Sequence, residues 1–244
     1  MTRKRRNGGW TCLVLAAGLW LCAADALGDR LEQKTTVTRV VGIELGKGGE
    51  LRPRLGQMLE LIRAKRFDEA LDAAVALQKD YEQVFDRKLT QRVFASAEER
   101  DDYQRHAKAP FEWIDWGYAE CLSMQAFVEA ERGNFARAIE ILDATHKLAP
   151  YEVGVDIELA HSLLGAHRPE EALEVYSQAL AVTRRFASQA QREAVALRGV
   201  GVTLVELGRF DEAEAALRES LKIDPDSPVA KDELDYIRQV RARP

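Results

Sequence analysis

GRFDEAEAALRESLKIDP, residues 208–225, is a near copy of GNFARAIEILDATHKLAP, residues 133–150. Counted from the glycine, both place an aromatic two residues on, an alanine five on, a leucine nine on and a proline seventeen on. Two looser copies follow from aligning on the alanine: KRFDEALDAAVALQKDY around Ala70 and HRPEEALEVYSQALAV around Ala172. Ala138 to Ala172 is 34 residues, Ala70 to Ala138 is 68, or two such periods, and Ala172 to Ala213 is 41. A fixed period in this range marks a stack of supersecondary units, each unable to cover its own apolar face.

A period of 34 built from two helical patterns resembles the tetratricopeptide repeat (TPR). In the copy 119–152, Ala126, Gly133, Phe135, Ala138, Leu142 and Pro150 fall where that family places its small, turn, bulky and terminating residues. In the copy 194–227 the same slots hold Gly201, Gly208, Phe210, Ala213, Leu217 and Pro225. The slots have mechanical reasons. Helices that cross closely need small residues at the contact, glycine ends the first helix with a positive φ, and proline stops the second. The resemblance covers roughly residues 51–240 and implies an all-α, right-handed superhelical solenoid of about four helix pairs with a C-terminal capping helix.

Departures from the period divide the chain. Residues 51–84 make a degenerate repeat, with Met58 in a small slot and Glu82 in the proline slot. Residues 85–118 span one period in length but not in pattern, and are expected to be an insertion with one or two helices. Its end, APFEWIDWGYAE, concentrates Phe111, Trp113, Trp116 and Tyr118 and is expected to open the long first helix of the next repeat. Residues 153–193 form an extended repeat with Pro169 in the aromatic slot, and its seven extra residues are expected to lengthen the helices around Thr183 to Glu206. Residues 228–244 carry Val229, Ala230, Leu234 and Ile237 on one stripe, as a solvated capping helix requires.

The start of the chain is read separately. MTRKRRNGG followed by the apolar run Trp10–Ala24 and small residues near Ala26–Gly28 has the layout of a secretory signal peptide over residues 1–28. The run is too short for the roughly 20 apolar residues that span a bilayer, so no stable membrane span is expected after cleavage. Leu21 before Cys22 argues against a lipoprotein, and Asn7-Gly8-Gly9 after Arg5-Arg6 against twin-arginine export. Periplasmic or secreted location is therefore the expectation. Residues 29–50 would be an N-terminal arm, with a short strand in TTVTRVVGIEL and a flexible joint at GKGGE.

Cleavage would remove four basic residues and one acidic residue, taking 35 positive against 40 negative to 31 against 39, or −8. Clustered basic charge is what phosphate backbones demand, so nucleic acid is not an expected partner. Cys121 would remain alone after cleavage, which rules out an internal disulfide framework.

Catalytic chemistry finds little support. GIELGKGG has its glycines too close for a phosphate loop and Gly48 where Ser or Thr should stand. His106, His146, His161 and His167 include no pair at the spacing that puts two ligands on one helical face. Asp68-Glu69, Glu170-Glu171 and Asp211-Glu212 recur at the starts of second helices, where the helix dipole favours negative charge. No cofactor, metal or catalytic residue is expected.

The TPR resemblance implies that first helices line an inner surface that takes peptides or partner helices. Carried over, the inner positions include Phe127, Ile157, His161, Arg198 and Val202, a mainly apolar lining suited to an amphipathic helix or apolar segment. The insertion or the arm could equally occupy it. Trp113 and Trp116 are either a core anchor or an exposed partner contact. The expectation is an exported, non-catalytic protein-interaction scaffold, by analogy serving envelope assembly or secretion. The alternatives are an enzyme or small-ligand binder that uses the insertion and arm, and self-association.

Overall fold

The computed structural model describes residues 46–242. The expectations of a signal peptide over 1–28 and of a strand in 35–45 lie outside these residues. In chain order, α1 (Pro53–Arg63) and α2 (Phe67–Gln83) form the first helix pair. β1 (Thr90–Val93), α3 (Ala97–His106) and β2 (Phe111–Ile114) interrupt the stack. It resumes with α4 (Trp116–Glu131) and α5 (Phe135–Leu148), α6 (Val153–Gly165) and α7 (Pro169–Arg185), then α8 (Glu193–Glu206) and α9 (Phe210–Ile223). α10 (Pro228–Arg241) closes the end. The four pairs and capping helix are an all-α solenoid, with one small sheet inserted.

One turn repeats in all four pairs. Lys65, Gly133, His167 and Gly208 each take a positive φ, at 56°, 79°, 61° and 73°. The residue after each donates its amide five residues back, as Arg66 N to Leu61 O at 2.8 Å and Arg209 N to Leu204 O at 2.9 Å. This closes the end of the first helix on its orphan carbonyls. The turn then launches the second helix, and Arg66, Arg168 and Arg209 reach forward to Glu69, Glu171 and Glu212 through exposed bidentate pairs.

Between helices the small slots behave as the period requires. Ala70, Ala138, Ala172 and Ala213 are fully buried at the crossings of first on second helix. Adjacent pairs then share a core: α5 packs on α6, α7 on α8, and the first helices α1, α4, α6 and α8 lie side by side. At the C-terminal end Ala230 and Ile237 of α10 cover Leu204, Ala213 and Leu217. Without that helix the last pair would leave this apolar surface in water.

Three expectations are corrected. The insertion is not purely helical: β1 and β2 pair in parallel, with Thr90 opposite Phe111 and Val93 opposite Ile114. Phe111 and Trp113 therefore sit on a strand, and α4 begins only at Trp116, capped by Asp115, whose carboxylate accepts from Gly117 N at 2.9 Å. Trp113 and Phe111 are better suited to a pleated, half-buried surface than to a helix opening. The GKGGE segment is not a free joint, because Lys47 N donates to Trp113 O at 2.9 Å and Asp115 N to Lys47 O at 3.0 Å, extending the sheet by one bridge. Gly46 is buried there, where a β-carbon would lie 2.5 Å from the Ile114 carbonyl carbon.

The extra residues of the third pair only partly lengthen helices. α7 has 17 residues against 14 in α5 and in α9. The remainder forms a 3-10 turn, Ala187–Arg192, between α7 and α8.

Candidate functional site

The first helices α4, α6 and α8 lie side by side, and they carry the sequence-derived positions Phe127, Ile157, His161, Arg198 and Val202. Phe127 of α4, Ile157 of α6 and Val202 of α8 are only 8%, 7% and 8% exposed. Phe127 meets the edge of the Phe67 ring at 6.5 Å between centroids. These three are as much mortar between first helices as lining. Next to them His161, Leu164, Val195 and Val205 keep part of their surface in solvent.

Charge along this row is neutralised or suppressed. Arg198 is buried and donates from Nη1 to Asp224 Oδ2 at 2.7 Å. Burial lowers His161 to about 4, so its imidazole is neutral at physiological pH. A neutral imidazole in this row adds ring surface rather than charge.

The two tryptophans anchor the insertion. Trp116 is 2% exposed, with the Arg52 guanidinium 4.9 Å above its ring. Arg52 also forms a two-pronged hydrogen bond to the buried Asp115, so the α4 N-terminus is tied to α1. Trp113 is half-buried, donates from Nε1 to Phe94 O at 3.2 Å and carries Arg100 over its ring at 4.8 Å.

A second cluster was not foreseen. Helix α3 turns Glu99 and Asp102 toward the links between repeats. Glu99, 1% exposed, accepts from Ser188 Oγ at 2.5 Å, Gln189 Nε2 at 2.9 Å and Ala95 N at 2.7 Å. Burial raises its pKa against these donors, with Glu152 nearby adding to the rise. Asp102 accepts from Tyr151 Oη at 2.8 Å, Arg105 at 2.6 Å and Arg185 at 2.5 Å. Burial works to raise it, but those partners together hold it below the usual carboxylate range. The local signal was Ser96 followed by Glu99, a helix-start pattern in which Ser96 Oγ accepts from Glu99 N at 3.2 Å. Nothing in the local sequence names Ser188, Gln189 or Arg185 as partners 83 to 90 residues away.

Elsewhere the buried groups are structural. Cys121 donates from Sγ to Ala74 O at 3.1 Å, and burial pushes its thiol up to about 12. His146 Nδ1 lies 2.6 Å from Asp156 Oδ1, which raises the imidazole, while burial raises the Asp156 carboxyl. Among the described residues no three His, Cys, Asp or Glu side chains gather to hold a metal, and no helix is long and apolar enough to cross a membrane.

Comparison with known proteins gives the fold a family. Residues 151–226 match the model of the tetratricopeptide repeat. A thermophilic TPR protein from Thermus thermophilus superposes with a TM-score of 0.54 at 20% identity, covering 79% of this chain and 84% of that one. The MamA RS-1 ArsTM double mutant gives 0.50 at 16% identity, covering 80% and 86%. No curated protein sequence matches the chain. Residues 151–226 match the tetratricopeptide repeat, and the helix pairs that precede them continue the same solenoid, a fold shared with these two structures.

Proposed function

We propose that the protein is an exported, non-catalytic scaffold that holds a peptide segment or amphipathic helix of a protein partner against the inner face of α4, α6 and α8. The observation that carries this reading is the uncharged row on that face: Phe127, Ile157 and Val202 as its base, with His161, Leu164, Val195 and Val205 partly open to solvent. Such a row rewards an apolar helix face presented at helical spacing. The insertion is tied by Asp102 and Glu99 to the inter-repeat links at Tyr151, Arg185, Ser188 and Gln189. Export rests on the opening of the sequence, and a role in envelope assembly or secretion on family analogy alone.

Cross-linking of the periplasmic fraction tests this. Replacing the partly exposed Leu164 and Val205 by lysine is expected to remove a stoichiometric protein partner while leaving helical circular dichroism intact. A partner retained by that variant would refute the groove assignment, and a mature N-terminus found at Met1 would refute export. Replacing the nearly buried Phe127, Ile157 and Val202 would confound binding with folding.

A further inference from the structure

The two departures from the repeat meet at one place. The insertion contributes the C-terminal end of α3, and the lengthened third pair contributes the end of α7 and the 3-10 turn that follows. Between them lies an open cleft of about 620 Å³. Tyr103, His106 and Lys108 line it from the insertion, Tyr151 and Arg185 from the solenoid, and Asp102 links the two sides.

Its chemistry differs from that of the protein around it. The chain carries a net charge of −5, yet the lining holds two permanent cations, Lys108 and Arg185, against one carboxylate. That carboxylate is already saturated: Asp102 Oδ1 accepts from Arg105 and Arg185, and Oδ2 from Tyr151. The cations therefore exceed what the internal pairing neutralises. Arg105 adds a further guanidinium at the rim, 2.6 Å from Asp102 Oδ1. Lys108 is exposed at the rim of the cleft.

The aromatic side is equally built. Tyr103 packs on Phe94 and Phe111, both at 5.3 Å between centroids. Tyr151 packs at a 44° tilt on Phe186, with ring centroids 4.8 Å apart, and carries Arg185 over its ring at 5.8 Å. These partners hold both phenol rings in place, so a ligand ring would not have to order them.

We propose that this cleft binds a peptide segment bearing a carboxylate beside an aromatic side chain, with Lys108 and Arg185 taking the carboxylate and the Tyr103 and Tyr151 rings taking the aromatic group. The inner-face reading does not depend on it: the two surfaces share no residue, and either can fail alone.

Fluorescence anisotropy on the full chain tests the proposal with a fluorescein-labelled peptide of alternating Asp and Tyr. Binding is expected that weakens with added salt, that a peptide of alternating Asp and Ser does not match, and that Lys108→Glu weakens roughly tenfold. Lys108→Arg restores it. An unchanged melting temperature shows that the exposed site tolerates both substitutions. Four results would overturn the proposal: no anisotropy change, equal binding of an alternating Lys and Tyr peptide, indifference to Lys108→Glu, or free benzoate binding as tightly as the peptide.

Discussion

The ring of Tyr176, on α7, lies directly against Gly199, on α8, so closely that a β-carbon there would fall 2.5 Å from the ring's Cζ. Both residues are buried. The glycine lets a second helix press its aromatic residue onto the backbone of the next first helix, joining one pair to the next.

Gly199→Ala is therefore expected to destabilise the chain by about 1–3 kcal/mol through overpacking, read as a lowered midpoint in chemical denaturation. Ala138→Leu and Ala213→Leu belong to the same class, because both alanines are fully buried at helix crossings. Unchanged midpoints in these variants would contradict the close nesting of the pairs.

Lys65 and His167 occupy the turn position that Gly133 and Gly208 fill elsewhere, at φ values of 56° and 61°. A side chain in that region carries strain that glycine avoids. Lys65→Gly and His167→Gly should each stabilise the chain by roughly 1 kcal/mol, and Gly133→Ala should cost about 1–2 kcal/mol although nothing lies within 4 Å of its β-carbon position. Equilibrium unfolding of the three variants gives the comparison.

His161 and His146 are expected to give opposite pH dependences. Burial lowers His161 to about 4, so the unfolded state binds its proton first. Its contribution is present above about 6.5 and is lost as pH falls through about 4, a difference of about 2 kcal/mol after allowance for its partly exposed edge. His146 is raised by its hydrogen bond to Asp156, with Asp143 adding and Lys147 opposing. Its contribution is complete below about 6.5 and declines as pH rises through the folded value. His161→Leu should flatten the acid side of the stability profile and His146→Asn the alkaline side.

The Glu99 contacts make the insertion part of the solenoid's stability. Glu99→Ala leaves the Ser188 and Gln189 donors without their acceptor, at an expected cost of about 1–3 kcal/mol. A double-mutant cycle with Ser188→Ala should show a coupling of at least about 0.5 kcal/mol. Additive effects would mean that α3 is not fastened to the link after α7.

Legibility followed the range of the interactions. The turns were readable because Gly133 and Gly208 meet a local backbone demand, and the crossings because Ala138 and Ala213 meet a local steric one. The insertion was not: β1 and β2 have four residues each, too few for an alternating pattern to stand out, and their parallel pairing spans a helix. AEERDDYQRH, the sequence of α3, has no apolar stripe because what it buries is Glu99 and Asp102.

Periodic local chemistry was thus enough to specify four stacked helix pairs and a cap, since a small side chain or a turn residue acts on its immediate neighbours wherever the chain leads. The joining of residues 85–118 to the link at 187–192, and the cleft that joining creates, depended on distant segments being brought together in space. A buried carboxylate is stable only where donors surround it, and here most of those donors come from another part of the chain.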